Sequence, residues 1–495
     1  MTHKELRKIA GQLIMIRFPG TELDAATAEF IKENGIRGVC LFRGNMTDSA
    51  QLSRLTADLR AVMGPESLIA IDQEGGAVVR STWVPAPPAA MGLGAANDIE
   101  LSRRTGAAVA RAVKSLGFNW NFAPVLDLNN NPDNPVIAER SFGAEPKQAA
   151  ELATAWMAGS HAEGVACCVK HFPGHGDTHV DSHRDLPTVD KSIAELEALE
   201  LAPFRDASPH APAIMTAHIV YPAIDAENPA TMSPAILDGI LRKQWGYKGV
   251  IITDGMDMHA IAGRYGVGNA AVRALAAGAD MVMALGTTET QDETLDAIAN
   301  AIANGTLSQQ QIDERLARLA ALAQAYPCKP RAYKEDASDR EIMAEGWRKA
   351  LTARGNPQRP AKGAKVRLVA RQDVVSDGVS EAGVPAAAVA ASLGKLYDVE
   401  LVTFADANTF DWITLPQDGR FTFLASTSRL RYGENARNNW KPDLHLALWN
   451  PYQALDIQSA ALMTYGFAAP ALEAINAWLS GELEAQGRAP VPGFE

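Results

Sequence analysis

The chain has 495 residues, 47% of them hydrophobic and 21% charged, and its formal net charge at pH 7 is -12. This length exceeds one ordinary hydrophobic core, so the sequence predicts two domains. The composition is typical of a globular enzyme and excludes a disordered or fibrous chain, and the negative charge excludes the positive field that nucleic-acid binding needs.

Residues 1–18 predict a helix that runs into a strand. They contain neither the long apolar run nor the small-residue cleavage site of a signal peptide. No stretch of the chain approaches the roughly 18 apolar residues that a membrane span requires. Cys40, Cys167, Cys168 and Cys328 form no C-x-x-C pair, and buried free thiols are typical of a reducing compartment. We therefore expect a cytoplasmic protein with no membrane partner.

Eight short apolar runs follow one another through the first two-thirds of the chain, with amphipathic stretches between them. Buried parallel strands have this short apolar character, and strands that alternate with helices indicate a parallel sheet. Eight such repeats predict an α/β fold in which the sheet closes into a (β/α)8 TIM-like barrel. The predicted strands are 12–18, 38–42, 68–72, 118–124, 165–171, 213–218, 250–254 and 281–285.

The barrel is predicted to be the catalytic domain, formed by residues 1–335. A helix at 339–353 and a linker rich in Pro, Gly and basic residues occupy 336–363. Residues 364–495 are predicted to form a smaller C-terminal α/β domain. Its predicted strands are 366–370, 399–404, 421–426 and 444–449, and its predicted helix is 472–481.

Ionisable residues follow several of the predicted barrel strands, where the chemistry of such barrels is located. Asp254 ends one strand and precedes a glycine, so its carboxylate is either a nucleophile at the barrel mouth or the N-cap of the next helix. Asp72 is a candidate acceptor for two sugar hydroxyl groups. Lys170, Arg140 and Arg80 are candidate donors, or members of surface ion pairs.

Four histidines recur at a spacing of four in the segment KHFPGHGDTHVDSH, at 171, 175, 179 and 183. On a helix this spacing would place them on one face as metal ligands. Pro173, Gly174 and Gly176 break any helix there, so the segment is predicted to be a loop and a metal site is disfavoured.

Within this loop Asp181 and His183 stand two residues apart, so an extended chain projects them to the same side. A carboxylate beside an imidazole fixes its tautomer and raises its basicity. Such a pair can donate a proton to a leaving group and later accept one from water.

The motifs KHFPGHGD at 170–177 and DSH at 181–183 resemble the signature loop of the bacterial β-N-acetylglucosaminidases of glycoside hydrolase family 3. DQEGG at 72–76, ERSFG at 139–143, TDGMDM at 253–258 and GQLIMIRFPGT at 11–21 resemble other motifs of the family in the same chain order. The resemblance covers about residues 5–330. The tail resembles the second domain of the family, an α/β sandwich, at 465–467, 471–475, 481–482 and 490–491.

The resemblance implies double displacement with retention of configuration. Asp254 would be the nucleophile, and His183, oriented by Asp181, would be the acid/base group. The implied substrate is a carbohydrate with a terminal β-linked N-acetylglucosamine, for example a peptidoglycan fragment, and neither a cofactor nor a metal is implied. The motif positions that correspond to sugar-binding residues are Asp72, Arg80, Arg140, Lys170 and His171.

The chain departs from the family pattern at Ala77, where an arginine usually stands, and at Gly255, where a second acidic residue is frequent. Four alternative functions remain open at this stage. Two are relatives within the fold, a β-glucosidase or β-xylosidase and a phosphorylase. The others are a metal-dependent barrel hydrolase and a non-catalytic sugar-binding module, and the sequence leaves the oligomeric state open.

Overall fold

The computed structural model of the chain describes residues 1–179, 186–328, 335–376 and 378–494. Contacts group the chain into two compact units. The first unit comprises Met1–Gln73, Gly106–Leu128 and Ala153–Glu335, and the second comprises Glu74–Thr105, Asn129–Leu152 and Asp336–Glu495. Segments 74–105 and 129–152 therefore group with the second unit, although they precede residue 335. The linear domain boundaries stay a prediction.

The first unit contains a closed barrel of eight parallel strands that neighbour one another in chain order. Each strand coincides with one of the eight predicted apolar runs, so the predicted barrel is confirmed. Every residue of these strands is buried except Asp254, which is partly exposed. The strands are β1 (Ile14–Ile16), β2 (Gly38–Cys40), β3 (Leu68–Ile71), β4 (Trp120–Asn121), β5 (Ala166–Phe172), β6 (Ala213–Thr216), β7 (Val250–Gly255) and β8 (Met281–Ala284).

Helices connect the barrel strands, and polar side chains fix where several of them begin. Thr2 and Ser308 each form a reciprocal capping box with the residue three positions later, and Asp48 accepts the N–H groups of Ala50 and Gln51. The helices of the first unit are His3–Gly11, Ala25–Asn34, Ser49–Met63, Ile193–Ala198, Leu201–Ala207, the π-helix Ala235–Gln244, His259–Tyr265, Val267–Ala277, Thr288–Ala303 and Gln309–Ala325.

Two further helices, Ile99–Ser115 and Pro146–Ala162, contain residues of both units. An antiparallel ribbon joins Val220–Tyr221 to Asp225–Pro229 in the first unit. A second two-stranded ribbon comprises Gln73–Gly75 and Val78–Val79. Within the described ranges, no helix combines the length and the apolar character needed to cross a membrane.

The second unit contains a six-stranded sheet in the order β9-β14-β13-β12-β10-β11. Strands β10 to β14 are parallel, and β9 runs antiparallel to β14. The four predicted strands and the predicted helix of this region are present. The sheet strands are β9 (Thr352–Arg354), β10 (Lys365–Arg371), β11 (Asp398–Phe404), β12 (Phe421–Ser426), β13 (Leu444–Ala447) and β14 (Ala461–Met463).

Apolar side chains cover both faces of this sheet. Val389, Trp478 and Leu479 come from helices that pack with one set of strand residues, and Trp412 and Trp440 belong to a separate cluster with Val369 and Leu424. This is the predicted α/β sandwich, and the fold class is confirmed. The helices of the second unit are Ala90–Ala96, Ala337–Ala350, Ala386–Leu393, Glu434–Asn439, Gln453–Asp456 and Ala469–Ser480.

The segment after the barrel differs in detail from the sequence-based expectation. The predicted helix 339–353 ends at Ala350, and Thr352–Arg354 form the edge strand β9 instead. Neither β9 nor β14 was predicted from the sequence.

Candidate active site

The barrel places polar side chains at the carboxyl ends of four strands. Asp72 directly follows β3, Lys170 and His171 lie near the end of β5, His218 follows β6 and Asp254 lies in β7. In a parallel barrel these ends meet at one face, where active sites are located.

Asp72 and Lys170 form an ion pair between the ends of β3 and β5, the two strands that flank β4 in the barrel. Lys170 Nζ lies 2.7 Å from Asp72 Oδ1, and the two side chains are 3% and 14% exposed. A buried ammonium group needs such a partner, because an unpaired charge in the interior is costly. The pair therefore presents a fixed carboxylate, with its lysine, to the barrel mouth.

Asp127 is a site residue that the sequence analysis did not identify. Its side chain is fully buried, and Oδ1 accepts the backbone N–H groups of His171 at 3.1 Å and His175 at 2.6 Å. Oδ2 lies 2.7 Å from His171 Nδ1. Burial raises the pKa of Asp127, but the effects of His171 and His175 together outweigh burial, and the pKa lies below its usual range. Because the carboxylate is ionised, His171 carries its proton on Nδ1.

A sequence signal for Asp127 existed. It is a charged residue inside the apolar run FAPVLDL, and charged residues are almost never fully buried without a partner. This run continues past the predicted strand 118–124. The carboxylate of Asp127 contacts the end of β5 and the loop that follows it, through His171 and His175. Gly176 in that loop packs so closely on the carbonyl oxygen of Leu128 that a Cβ atom would overlap it.

His175 is buried beside this carboxylate and stays neutral at pH 7. Burial lowers its pKa to about 4, although the charges of Asp127 and Asp254 act in the opposite direction. Its Nδ1 lies 2.9 Å from Thr178 Oγ1. His175 is therefore a neutral hydrogen-bonding group in the electrostatic neighbourhood of Asp254.

Asp254 Oδ1 accepts the backbone N–H of Gly255 at 2.7 Å. The carbonyl oxygen of Gly255 lies 2.9 Å from Nε2 of the buried His218, whose Nδ1 lies 2.8 Å from Thr231 Oγ1. The next helix begins only at His259, with Met258 at its N-cap. Asp254 is therefore not the cap of that helix, which removes one of the two interpretations that the sequence left open.

Asp72, Lys170 and Asp254 all act on one buried group, the thiol of Cys168 in β5. Burial raises the pKa of Cys168 well above its usual value, Lys170 lowers it, and the carboxylates of Asp72 and Asp254 raise it further. Cys168 therefore stays a protonated thiol in spite of the ammonium group of Lys170.

A groove of about 870 Å³ adjoins the end of β7. Its lining includes Arg17 and Phe42, which follow β1 and β2, and Asp257. Burial raises the pKa of Asp257, against the effect of Arg17, whose Nη2 lies 3.8 Å from its Oδ2. The sequence analysis did not single out Arg17 or Asp257.

The two candidate arginines, Arg80 and Arg140, belong to the second unit, and both are buried. Arg140 makes a bidentate ion pair with Glu74, with both N–O distances at 2.9 Å. Arg80 Nη1 donates to Glu381 Oε1 at 3.0 Å and to the carbonyl oxygen of Val379 at 2.8 Å. Each guanidinium group is thus held in one orientation by a carboxylate.

Asp181 and His183 lie outside the described residues, so their predicted roles stay predictions. Among the described residues, no group of three or more His, Cys, Asp or Glu side chains is arranged to hold a metal ion. His171 and His175, two members of the four-residue spacing, instead contact Asp127.

Comparisons with known proteins identify the same family as the sequence motifs. A family model described as the glycosyl hydrolase family 3 N-terminal domain matches residues 5–322. The chain is 34% identical over 389 residues to beta-hexosaminidase A of Pseudoalteromonas piscicida, covering 72% of this chain and 62% of that protein. It is 36% identical over 292 residues to a beta-hexosaminidase of Tolumonas auensis, covering 58% of this chain and 86% of that protein.

A solved structure is similar over nearly the whole chain. The glycoside hydrolase family 3 beta-N-acetylglucosaminidase from Paenibacillus sp. str. FPU-7 superposes with a TM-score of 0.86 at 33% identity, covering 98% of both chains. The chain thus spans less than two thirds of the Pseudoalteromonas protein but almost all of the Paenibacillus chain. These matches confirm the family that the motifs predict.

Replacing Asp127 with alanine should loosen the loop that follows β5. The amides of His171 and His175 would lose their shared acceptor, and hydrogen bonds to charged groups contribute about 1.5–3 kcal/mol each. We expect hydrogen–deuterium exchange of the peptide covering 170–178 to rise about tenfold or more. The matched variant Asp127→Asn keeps one acceptor oxygen and should show a smaller rise. Wild-type exchange in Asp127→Ala would contradict the assigned role.

The stability of the chain should fall as the pH decreases from 6.5 towards 4. His175 titrates at about 4 in the folded state and near 6.5 when unfolded, so the unfolded state binds more protons in this window. This difference corresponds to roughly 3 kcal/mol, present above pH 6.5 and lost by about pH 4. Thermal unfolding should show a smaller acid-induced decrease in His175→Gln than in the wild type. The exposed-site control His259→Gln should behave like the wild type, and identical pH profiles for all three would refute the prediction.

Proposed function

Because the chain belongs to glycosyl hydrolase family 3, we propose that it is a retaining β-N-acetylhexosaminidase that releases a terminal β-linked N-acetylglucosamine. The observation that carries the proposal is the position of Asp254. It is the one barrel-strand residue that is only partly buried, and its carboxylate is oriented by the Gly255 N–H at the catalytic face. The names of the Pseudoalteromonas, Tolumonas and Paenibacillus relatives support the same activity.

The proposed first step is attack of Asp254 on the anomeric carbon. The C–O bond to the leaving group breaks as the ester bond to Asp254 forms, and His183 gives its proton to the departing oxygen. In the second step His183 takes a proton from water, which attacks the same carbon and releases Asp254. Asp181 acts as a positioning residue that fixes the tautomer of His183.

The strand-end groups suit the binding of a sugar. Asp72 can accept hydrogen bonds from two hydroxyl groups, and its ion pair with Lys170 holds the carboxylate in one position. His171 Nδ1 is committed to Asp127, so Nε2 is the ring nitrogen that is left for a sugar hydroxyl group. The sugar-binding role of Arg80 and Arg140 stays a prediction that rests on the motif correspondence alone.

Neutral imidazoles suit a site that needs an ionised nucleophile. A second carboxylate close to Asp254 would raise the pKa of the nucleophile by repulsion, whereas an uncharged imidazole does not. His175, with its pKa of about 4, is neutral in this neighbourhood at pH 7. An imidazole acid/base group such as His183 follows the same logic.

A peptidoglycan fragment is the proposed source of the sugar, and the cytoplasm is the proposed location. The four cysteines are all buried free thiols, which is typical of a protein that works under reducing conditions.

The substrate assignment is tested by comparing nitrophenyl β-N-acetylglucosaminide with nitrophenyl β-glucoside. We expect a kcat/KM at least about tenfold higher for the acetamido sugar, since buried polar groups built for one substituent reject a substrate that lacks it. The rate should not depend on inorganic phosphate. A preference for the glucoside would reject the proposal in favour of a β-glucosidase, and a phosphate-dependent rate would favour a phosphorylase.

The mechanism is tested by trapping the glycosyl-enzyme with a 5-fluoro N-acetylglucosaminyl donor, followed by peptide mapping. The label should lie on Asp254, and Asp254→Asn should lose both the label and activity by about 10³-fold or more. Asp257→Asn, which removes the carboxylate three residues away on the same peptide, should keep the label. Label at Asp257 in the wild type would overturn the assignment. In the same assays, His183→Ala should lose the alkaline limb of the pH–rate profile, and its retention would exclude His183 as the acid/base group.

A further inference from the structure

The parallel strands of the second unit have a strand order that creates a crevice at the edge of the sheet. Their order in the sheet is β11-β10-β12-β13-β14. The chain therefore passes from β10 to β11 on one side of β10, and then crosses to β12 on the other side of β10. The connection after β10 and the connection after β12 run in opposite directions, so they leave a gap between the carboxyl ends of these two strands. Open α/β sheets bind their ligands in the crevice at such a switch point.

The second unit has a crevice of about 170 Å³ at this place. Arg371 is the last residue of β10, Phe404 is the last residue of β11, and Thr427 directly follows β12. These three residues line the crevice together with Ser428, Tyr432 and Gln453. Pockets for drug-sized ligands have volumes of about 300–1,000 Å³, so this crevice suits a small metabolite.

Arg371 brings a positive charge that is not matched by a described carboxylate. It forms no ion pair among the described residues, and its buried Nε has no hydrogen-bond acceptor. Arg431 lines the same crevice but is paired with Asp456 at 2.5 Å and Asp133 at 3.1 Å. The exposed Asp406, also in the lining, accepts the backbone N–H of Asn408.

Two buried side-chain oxygen atoms of residues that line the crevice lack hydrogen-bond partners among the described residues. Thr427 Oγ1 and Gln453 Oε1 are unpaired, and both residues are only 1% exposed. Leaving a buried polar atom unsatisfied costs about 1–3 kcal/mol. The orientation of Gln453 is fixed because its Nε2 donates to the carbonyl oxygen of Leu430 at 2.7 Å.

From this arrangement we propose that the second unit binds a small hydroxylated organic anion at the crevice between β10 and β12, independently of sugar hydrolysis. A phosphate or carboxylate group accepts hydrogen bonds from the Arg371 guanidinium and the Thr427 hydroxyl group. A hydroxyl group of the ligand donates to Gln453 Oε1. Phe404 and Tyr432 form the apolar wall for the carbon skeleton.

The test uses the full chain and three probes, inorganic phosphate, ribose 5-phosphate and ribose, with potassium chloride at matched ionic strength. Thermal unfolding and titration calorimetry should show saturable binding of ribose 5-phosphate, weaker binding of phosphate and none of ribose. Arg371→Gln should weaken the binding of ribose 5-phosphate about tenfold or more, because a charge-assisted hydrogen bond is lost. Lys395→Gln, which removes an exposed charge of the same unit, should bind like the wild type.

Thr427→Val provides a second variant of nearly the same shape, and it should also weaken binding if Arg371→Gln fails to fold. Equal affinities for the wild type and the variants would overturn the proposal, because the anion would then bind elsewhere. If no probe binds saturably, the proposal is also overturned, because water alone would then pair with the unpaired atoms of the crevice. Displacement of ribose 5-phosphate by N-acetylglucosamine would assign the binding to the sugar site instead.

Discussion

The candidate site depends on the hydrogen bonds that the buried carboxylate of Asp127 makes with His171 and His175. The side chain has no exposure to solvent, and its two oxygens face three N–H groups of the segment 171–175. A buried charge that is satisfied in this way is strongly directional, because any shift of the loop leaves a donor or an acceptor unpaired. The close packing of Gly176 on Leu128 restricts the same loop from the other side. Lys170 and His171 therefore reach the barrel mouth in one arrangement.

The barrel was predictable because its pattern is simple. Strands buried on both sides must be continuously apolar, and eight such runs between amphipathic stretches admit few other folds. β9, with the sequence Thr-Ala-Arg, has no such apolar run and was predicted as the end of a helix, and β14 was not predicted. Segments 74–105 and 129–152 group with the second unit through contacts that are distant in sequence, and no local composition reveals them.

Some residues of the candidate site were predictable from the local sequence, whereas others come together only in the folded barrel. Asp72, Lys170, His171 and Asp254 were recognisable because polar residues at the end of an apolar run are conspicuous. Whether Asp254 caps a helix depends on where the next helix begins, and that is set by the turn at Met256–Met258 rather than by the strand. Arg17 and Asp257 come together from opposite ends of the barrel sequence, so only the closed sheet brings them to one groove.

The buried thiol of Cys168 bears on which covalent reagents can modify this part of the barrel. Sulfur is the most reactive nucleophile that proteins possess, but only as the thiolate, and here burial together with two neighbouring carboxylates holds the proton on it. Cys168 therefore does not compete with the neighbouring carboxylates for an electrophile. Maleimides and other soft, thiol-seeking reagents should therefore leave Cys168 unmodified as long as the barrel stays folded, because the side chain is also fully buried.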